Sequence, residues 1–282
     1  MRRRTLLKTA PAAASLPLAG CLDPVSSGED EPSDSYPDDW YHADPIDSEY
    51  VAFEAGTFDT TAGNPPEEDA TLDGNEAWQL VTETAWALRE VSFQLSVESK
   101  IVEGQYEGRW RRSLWRNAET GVVYQRQEIE RQSEPDATVR DYNDGTRYVA
   151  TDHGGETEHF HVPDPNRHRD RVDSHLLMSF FQLSEFEIQD TVTVDGAELR
   201  HARHTEATSE RLEMELATFF TGVDGIVRNA QAQYGTPPGT PTEDRYSIDG
   251  GVEITAGTPT IEEPEWTEDA LEEEREPFES PA

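Results

Sequence analysis

Between Val91 and Thr255 apolar residues recur at every second position in short runs, and the runs are separated by residues that reverse the chain. Val91, Phe93, Leu95 and Val97 alternate with Ser92, Gln94, Ser96 and Glu98. A period of two places one set on a buried face and the other in water. Asn117-Ala118-Glu119-Thr120-Gly121, Asn143-Asp144-Gly145, Asp195-Gly196 and Gly222-Val223-Asp224-Gly225 carry the glycines and short polar side chains of hairpin turns. The strands expected between them are 109–116, 122–130, 138–142, 147–152, 157–162, 191–194, 197–204, a run through Leu212, Met214 and Leu216, then 226–234, 246–248 and 252–255.

Two segments break this rhythm. Over 75–90, Ala77, Leu80, Val81, Ala85 and Leu88 form a helical stripe, with Trp78 at its edge. A second helix is expected within 164–183, with Asp164 as N-cap and Pro165 at the first helical position. Its stretch Leu176-Leu177-Met178-Ser179-Phe180-Phe181-Gln182-Leu183 is apolar nearly all round, so it must be buried on more than one side. The pattern is α+β, a large antiparallel sheet with helices packed on one face. Sheets of that size curl.

The N-terminus is a targeting device and is set apart from the fold. Arg2-Arg3-Arg4-Thr5-Leu6-Leu7-Lys8 resembles a twin-arginine export signal, and Leu18-Ala19-Gly20-Cys21 looks like a lipobox, in which the cysteine is lipidated and becomes the mature N-terminus. The expected location is the cell membrane, lipid-anchored on the extracellular face. Cys21 is the sole cysteine, so no disulfide, thiolate cluster or catalytic thiol is expected in the mature chain.

The chain carries 59 acidic against 23 basic residues, a net charge of -36, and its two lysines are Lys8 and Lys100. Such a surface repels itself in dilute buffer and suits brine, where the Debye length falls to about 3 Å. Nucleic-acid binding, which relies on Lys and Arg contacts to phosphate, is not expected. From Leu22 to Ala70 there is no Lys or Arg and there are six prolines. The expected organisation is a signal peptide with lipobox over 1–21, an acidic tether over 22–70, an α+β domain over 71–266 and an acidic tail over 267–282. Within the tether, Tyr50-Val51-Ala52-Phe53 has the makings of an edge strand, and Trp266 is expected to be the last packed residue.

The lipobox, the acidic tether, a helix running into a strand, the Asp-Gly hairpins and the closing Pro259-Thr260-Ile261-Glu262-Glu263-Pro264-Glu265-Trp266 resemble a group of haloarchaeal lipoproteins. That group is similar to the LolA/LppX class of lipoprotein and lipid carriers. The resemblance implies a curved half-barrel closed by helices over an apolar cavity, and a lipid or amphiphile as ligand. On that expectation Phe93, Leu95, Leu176, Met178, Phe180, Phe181 and Met214 line the cavity.

Other chemistry finds little support. His153, His159, His161, His168 and His175 fall in one stretch, with His201 and His204 further on. On a strand His159 and His161 share a face. With Asp152 or a third His they offer metal ligands, and the competing reading is a solvated hairpin face. No metal site and no cofactor is assigned. Arg109-Trp110-Arg111-Arg112-Ser113-Leu114-Trp115-Arg116 is a basic island, suited to anionic headgroups or, more simply, to pairing with acids on neighbouring strands. No Walker loop, GxSxG elbow or HExxH motif occurs, so no enzymatic activity is expected. The reading that follows is a surface lipoprotein that binds or carries an amphiphile, the alternative being an envelope-structural or protein-interaction lipoprotein with no ligand cavity.

Overall fold

The computed structural model describes residues 36–103, 107–132, 134–162, 181, 184–207, 212–241 and 245–275. Cys21 and most of the expected 164–183 helix lie outside them, with Phe181, helical in backbone, as the described member of that segment.

One antiparallel sheet of 13 strands organises the described chain. In sequence order the strands are β1 (Val51–Ala55), β2 (Thr71–Leu72), β3 (Phe93–Glu103), β4 (Gly108–Arg116), β5 (Val123–Arg131), β6 (Glu134–Asn143), β7 (Arg147–His153), β8 (Glu156–Val162), β9 (Ser184–Val194), β10 (Ala197–Ala207), β11 (Glu213–Gly222), β12 (Val227–Gly235) and β13 (Ser247–Ile261). Across the sheet they run β2, β9, β10, β11, β12, β13, β3, β4, β5, β6, β7, β8, and β1 pairs with β13. Two meanders, β3 to β8 and β9 to β13, are therefore joined by a single long-range pairing, β13 with β3, in which Val252 lies opposite Val97.

Turn chemistry sets the hairpins. Asp195 (φ 49°) and Gly196 (φ 75°) both take the left-handed conformation that a two-residue turn matched to strand twist requires. Helix α1 (Gly74–Ala87) begins in a capping box: Asp73 accepts from the N–H groups of Asn75 and Glu76, and Glu76 accepts from the N–H of Asp73. Its face of Ala77, Leu80, Val81, Thr84 and Ala87 is buried.

Consecutive residues separate the two faces of the sheet. Leu114 and Phe219 join Phe93, Leu95, Ile254 and the α1 stripe in the larger core. Trp115 joins Tyr124, Tyr142 and Trp266, and Phe220 joins Trp40, Val194 and Leu199, in two clusters on the opposite side. Helix α2 (Thr267–Ala270) packs there, on β7 and β8, so the helices are not confined to one face.

Four sequence expectations change. The tether does not extend to residue 70, because over 36–62 Trp40, Ile46 and Ala62 are buried and β1 is in register with β13. The tail packs beyond Trp266: Thr267 and Ala270 are buried, and the N–H groups of His161 and Arg275 donate to the carbonyls of Glu273 and His161. Strands 246–248 and 252–255 are one strand, β13, because Gly250-Gly251 continues it; a side chain at Gly251 would collide with the Tyr41 ring laid across it. Finally, β11 does not keep strict alternation. A register shift between Met214 and Leu216 turns Leu216 away and brings Ala217 and Phe219 to the larger core.

Candidate functional site

Residues 36–50 cross the second face of the sheet as a strap, held by contacts on many strands. Tyr36 Oη donates to Asp195 Oδ2 (2.7 Å) at the β9–β10 turn. The Trp40 ring packs on Phe220 of β11, centroids 5.0 Å apart. Asn229 of β12 is fully buried, and its side chain holds the backbone of one strap residue by both polar groups: Oδ1 accepts from Tyr41 N (3.0 Å) and Nδ2 donates to Tyr41 O (2.7 Å). Ile46 N donates to Ser113 Oγ of β4 (2.8 Å), and Arg126 of β5 donates to Asp47 O (3.0 Å). His201, stacked flat on Phe220, has Nδ1 2.9 Å from Asp190 Oδ1 and Nε2 2.8 Å from Asp39 Oδ2.

Where the strap meets the turns it leaves a cavity of about 400 Å³, within the range of roughly 300–1,000 Å³ usual for small-molecule sites. Trp40, Phe58, Val194, Leu199, Ile254 and Ala256 supply apolar wall. The polar wall is Asp195, Glu198, Asp224, Arg228 and Glu253. Arg228 is already engaged: Nη2 donates to Asp224 Oδ2, and the guanidinium carbon lies 4.0 Å from the centre of the Phe58 ring. Burial pulls Arg228 below the ordinary arginine range, and Asp224 opposes that shift.

Glu253 is different. Trp40 Nε1 donates to it (3.4 Å), yet among the described residues no Lys or Arg pairs with it. Burial pushes its carboxyl above the ordinary range, against the hydrogen bond from Trp40. A carboxyl raised on folding is destabilising once ionised, so its contribution is favourable below the unfolded pKa and is lost as pH rises through the folded one.

Four of the residues expected to line a cavity meet elsewhere. Phe93, Leu95, Phe181 and Met214 are all buried in the larger core, where Phe181 packs on Phe186 and Phe219 with centroids 5.6 and 5.2 Å apart. None of the four lines the cavity beneath the strap. Leu176, Met178 and Phe180 lie outside the described residues, as do His168 and His175. His159 and His161 do share a face, and α2 covers it: His159 stacks on Trp266, and His161 Nδ1 is 3.0 Å from Ala270 O. No group of three His, Cys, Asp or Glu side chains converges as a metal site among the described residues.

The basic island divides by face as its alternation predicts. Trp110 and Leu114 face the larger core, and Trp115 and Ser113 face the strap side. Two of its arginines pair with acids, Arg109 with Glu98 (2.6 Å) and Arg111 with Glu128 (2.5 Å) and, from the strap, Asp44 (3.1 Å), while Arg116 donates to the carbonyl of Arg89.

No protein-family model and no curated protein matches the chain. Among solved structures it is similar to MucB in complex with MucA(peri), at 12% identity and a TM-score of 0.31, over 66% of this chain and 56% of that one. It is also similar to a DUF1329 family protein from Desulfovibrio piger, at 8% identity and a TM-score of 0.25, over 69% of this chain and 97% of that one. The chain thus spans little more than half the length of the MucB chain. These likenesses are distant, and no residue's role is taken from them. No helix among the described residues is long and apolar enough to cross a membrane.

The strap and its cavity are what the sequence reading missed. The cavity draws on segments from Trp40 to Ala256, and nothing in local composition marks them as neighbours. The available signal was aromatic and apolar residues, Trp40 and Ile46, set singly in a segment otherwise suited to a tether.

Proposed function

We propose that the protein is a non-enzymatic surface lipoprotein, anchored through Cys21, that binds or carries an amphiphilic ligand. The observation that carries this reading is the cavity of about 400 Å³ beneath the strap, which sets apolar wall beside a few fixed charges. The single open antiparallel sheet supports it as the curved half-barrel of a LolA/LppX-like carrier. Within the cavity wall Arg228 donates to Asp224, and Glu253 accepts from Trp40.

Binding is tested with a neutral apolar fluorophore, N-phenyl-1-naphthylamine. Saturable binding is expected, with loss of at least about tenfold in affinity when Thr57→Trp blocks the exposed rim. Absence of saturable binding by the wild-type chain would remove the amphiphile reading and leave the protein-interaction lipoprotein in its place. The anchor is tested separately. Cys21→Ser is expected to release the mature protein to the medium or to leave an unprocessed precursor, since firm attachment needs the lipid. A correctly cleaved Ser variant that stays on the membrane would contradict it.

A further inference from the structure

The cavity's charges do not cancel. Four carboxylates, Asp195, Glu198, Asp224 and Glu253, stand in its wall against one guanidinium, that of Arg228. Arg228 and Asp224 neutralise each other, and Asp195 receives the Tyr36 hydroxyl, a neutral donor. Glu198 is at its closest 4.0 Å from Arg200. Glu253 accepts from the Trp40 indole N–H and the backbone N–H of Ala43; the nearby His42 imidazole favours its ionised form, and among the described residues no Lys or Arg pairs with it. Trp40, the donor to Glu253, stands in the same wall.

We infer that the cavity takes an organic cation with an apolar body, an alkylammonium or quaternary ammonium group seated against Glu253 in the acidic wall. This rests on the amphiphile reading and names the headgroup charge its ligand carries. The ligand supplies the permanent positive charge that no Lys or Arg among the described residues brings to Glu253, while Val194, Leu199 and Ile254 take the alkyl part. An anionic amphiphile would instead bring a further negative charge beside Asp195, Glu198 and Glu253. Keeping an ionised carboxyl in a half-buried place without a Lys or Arg countercharge costs the empty protein stability, a pattern found at binding sites. Because the contact is sheltered, it is screened by salt far less than a surface pair.

Competition against N-phenyl-1-naphthylamine, at one salt concentration that keeps the protein folded, compares three probes of equal chain length: hexyltrimethylammonium, hexanol and hexanoate. The expected order is hexyltrimethylammonium first, by at least about tenfold over hexanol, with hexanoate weakest, because Coulomb attraction between opposite charges in a sheltered site is worth about that factor or more. Glu253→Gln is expected to close the gap between ammonium and hexanol while keeping hexanol's affinity, with no loss of thermal stability. Glu198→Gln, at an exposed position, is expected to narrow the gap less. Hexyltrimethylammonium binding no better than hexanol would overturn the inference while the amphiphile reading stands. So would a gap that survives in both variants. Failure of the neutral fluorophore itself would remove both.

Discussion

Trp40→Ala is expected to destabilise the protein by about 3–5 kcal/mol, the usual cost of removing a large buried aromatic side chain. Trp40 is 8% exposed and packs on both Tyr36 and Phe220. It is also the strap residue that walls the cavity and bonds Glu253, so its loss removes packing, a hydrogen bond and the ligand site together. The neighbouring anchors, Tyr41 on Asn229 and Asp39 at His201, remain, and the sheet itself is expected to persist. Denaturant unfolding gives the energy, and limited proteolysis reports whether 36–50 becomes accessible. A loss under about 1 kcal/mol, with the strap still protected, would show that Trp40 does not hold it.

Cooperative folding is expected to require high salt. A net charge of -36 makes the compact state self-repelling, and salt near 1 M shortens the Debye length to about 3 Å. The structure concentrates its ion pairs on the sheet, as in Arg147 with Asp141 (2.5 Å) and Arg140 with Asp152 (2.6 Å), and leaves many carboxylates unmatched. These pairs are partly exposed and individually worth about 0–1 kcal/mol, too little to offset the excess. Circular dichroism melts across a sodium chloride titration should show the transition rising steeply with salt and broadening or vanishing in dilute buffer. An identical melting temperature in both would contradict this.

The hairpins were legible because their information is local. Asp195-Gly196 and Asn143-Asp144-Gly145 need only their own backbone chemistry, and the strands on either side carry their own period. The segments that failed depend on distant partners. Gly250-Gly251 looks like a break until Tyr41 is seen lying on it, and the turning of Leu216 depends on a bulge against β12. The strap is composed like a tether, and its anchors are single residues whose sockets, Asn229, Ser113 and Phe220, lie far along the chain. Glu253 is one acid among 59, and what distinguishes it is its place in a walled space with no Lys or Arg partner among the described residues.

The sheet order also dictates a sequence of events in folding. Each meander can form from neighbouring hairpins, but β13 must meet β3, Val252 opposite Val97, across the whole intervening chain. Pairings of such separation are slow, because the loop must close before contacts reward it. The strap needs Ser113 from one meander and Asn229 from the other, so its complete footprint exists only after that closure. Docking of 36–50 is therefore a late step that reports completion of the sheet. A chain stopped before β13 would lack Glu253 and the wall from Ile254 to Ala256, and with them the cavity, however well its remaining hairpins had formed.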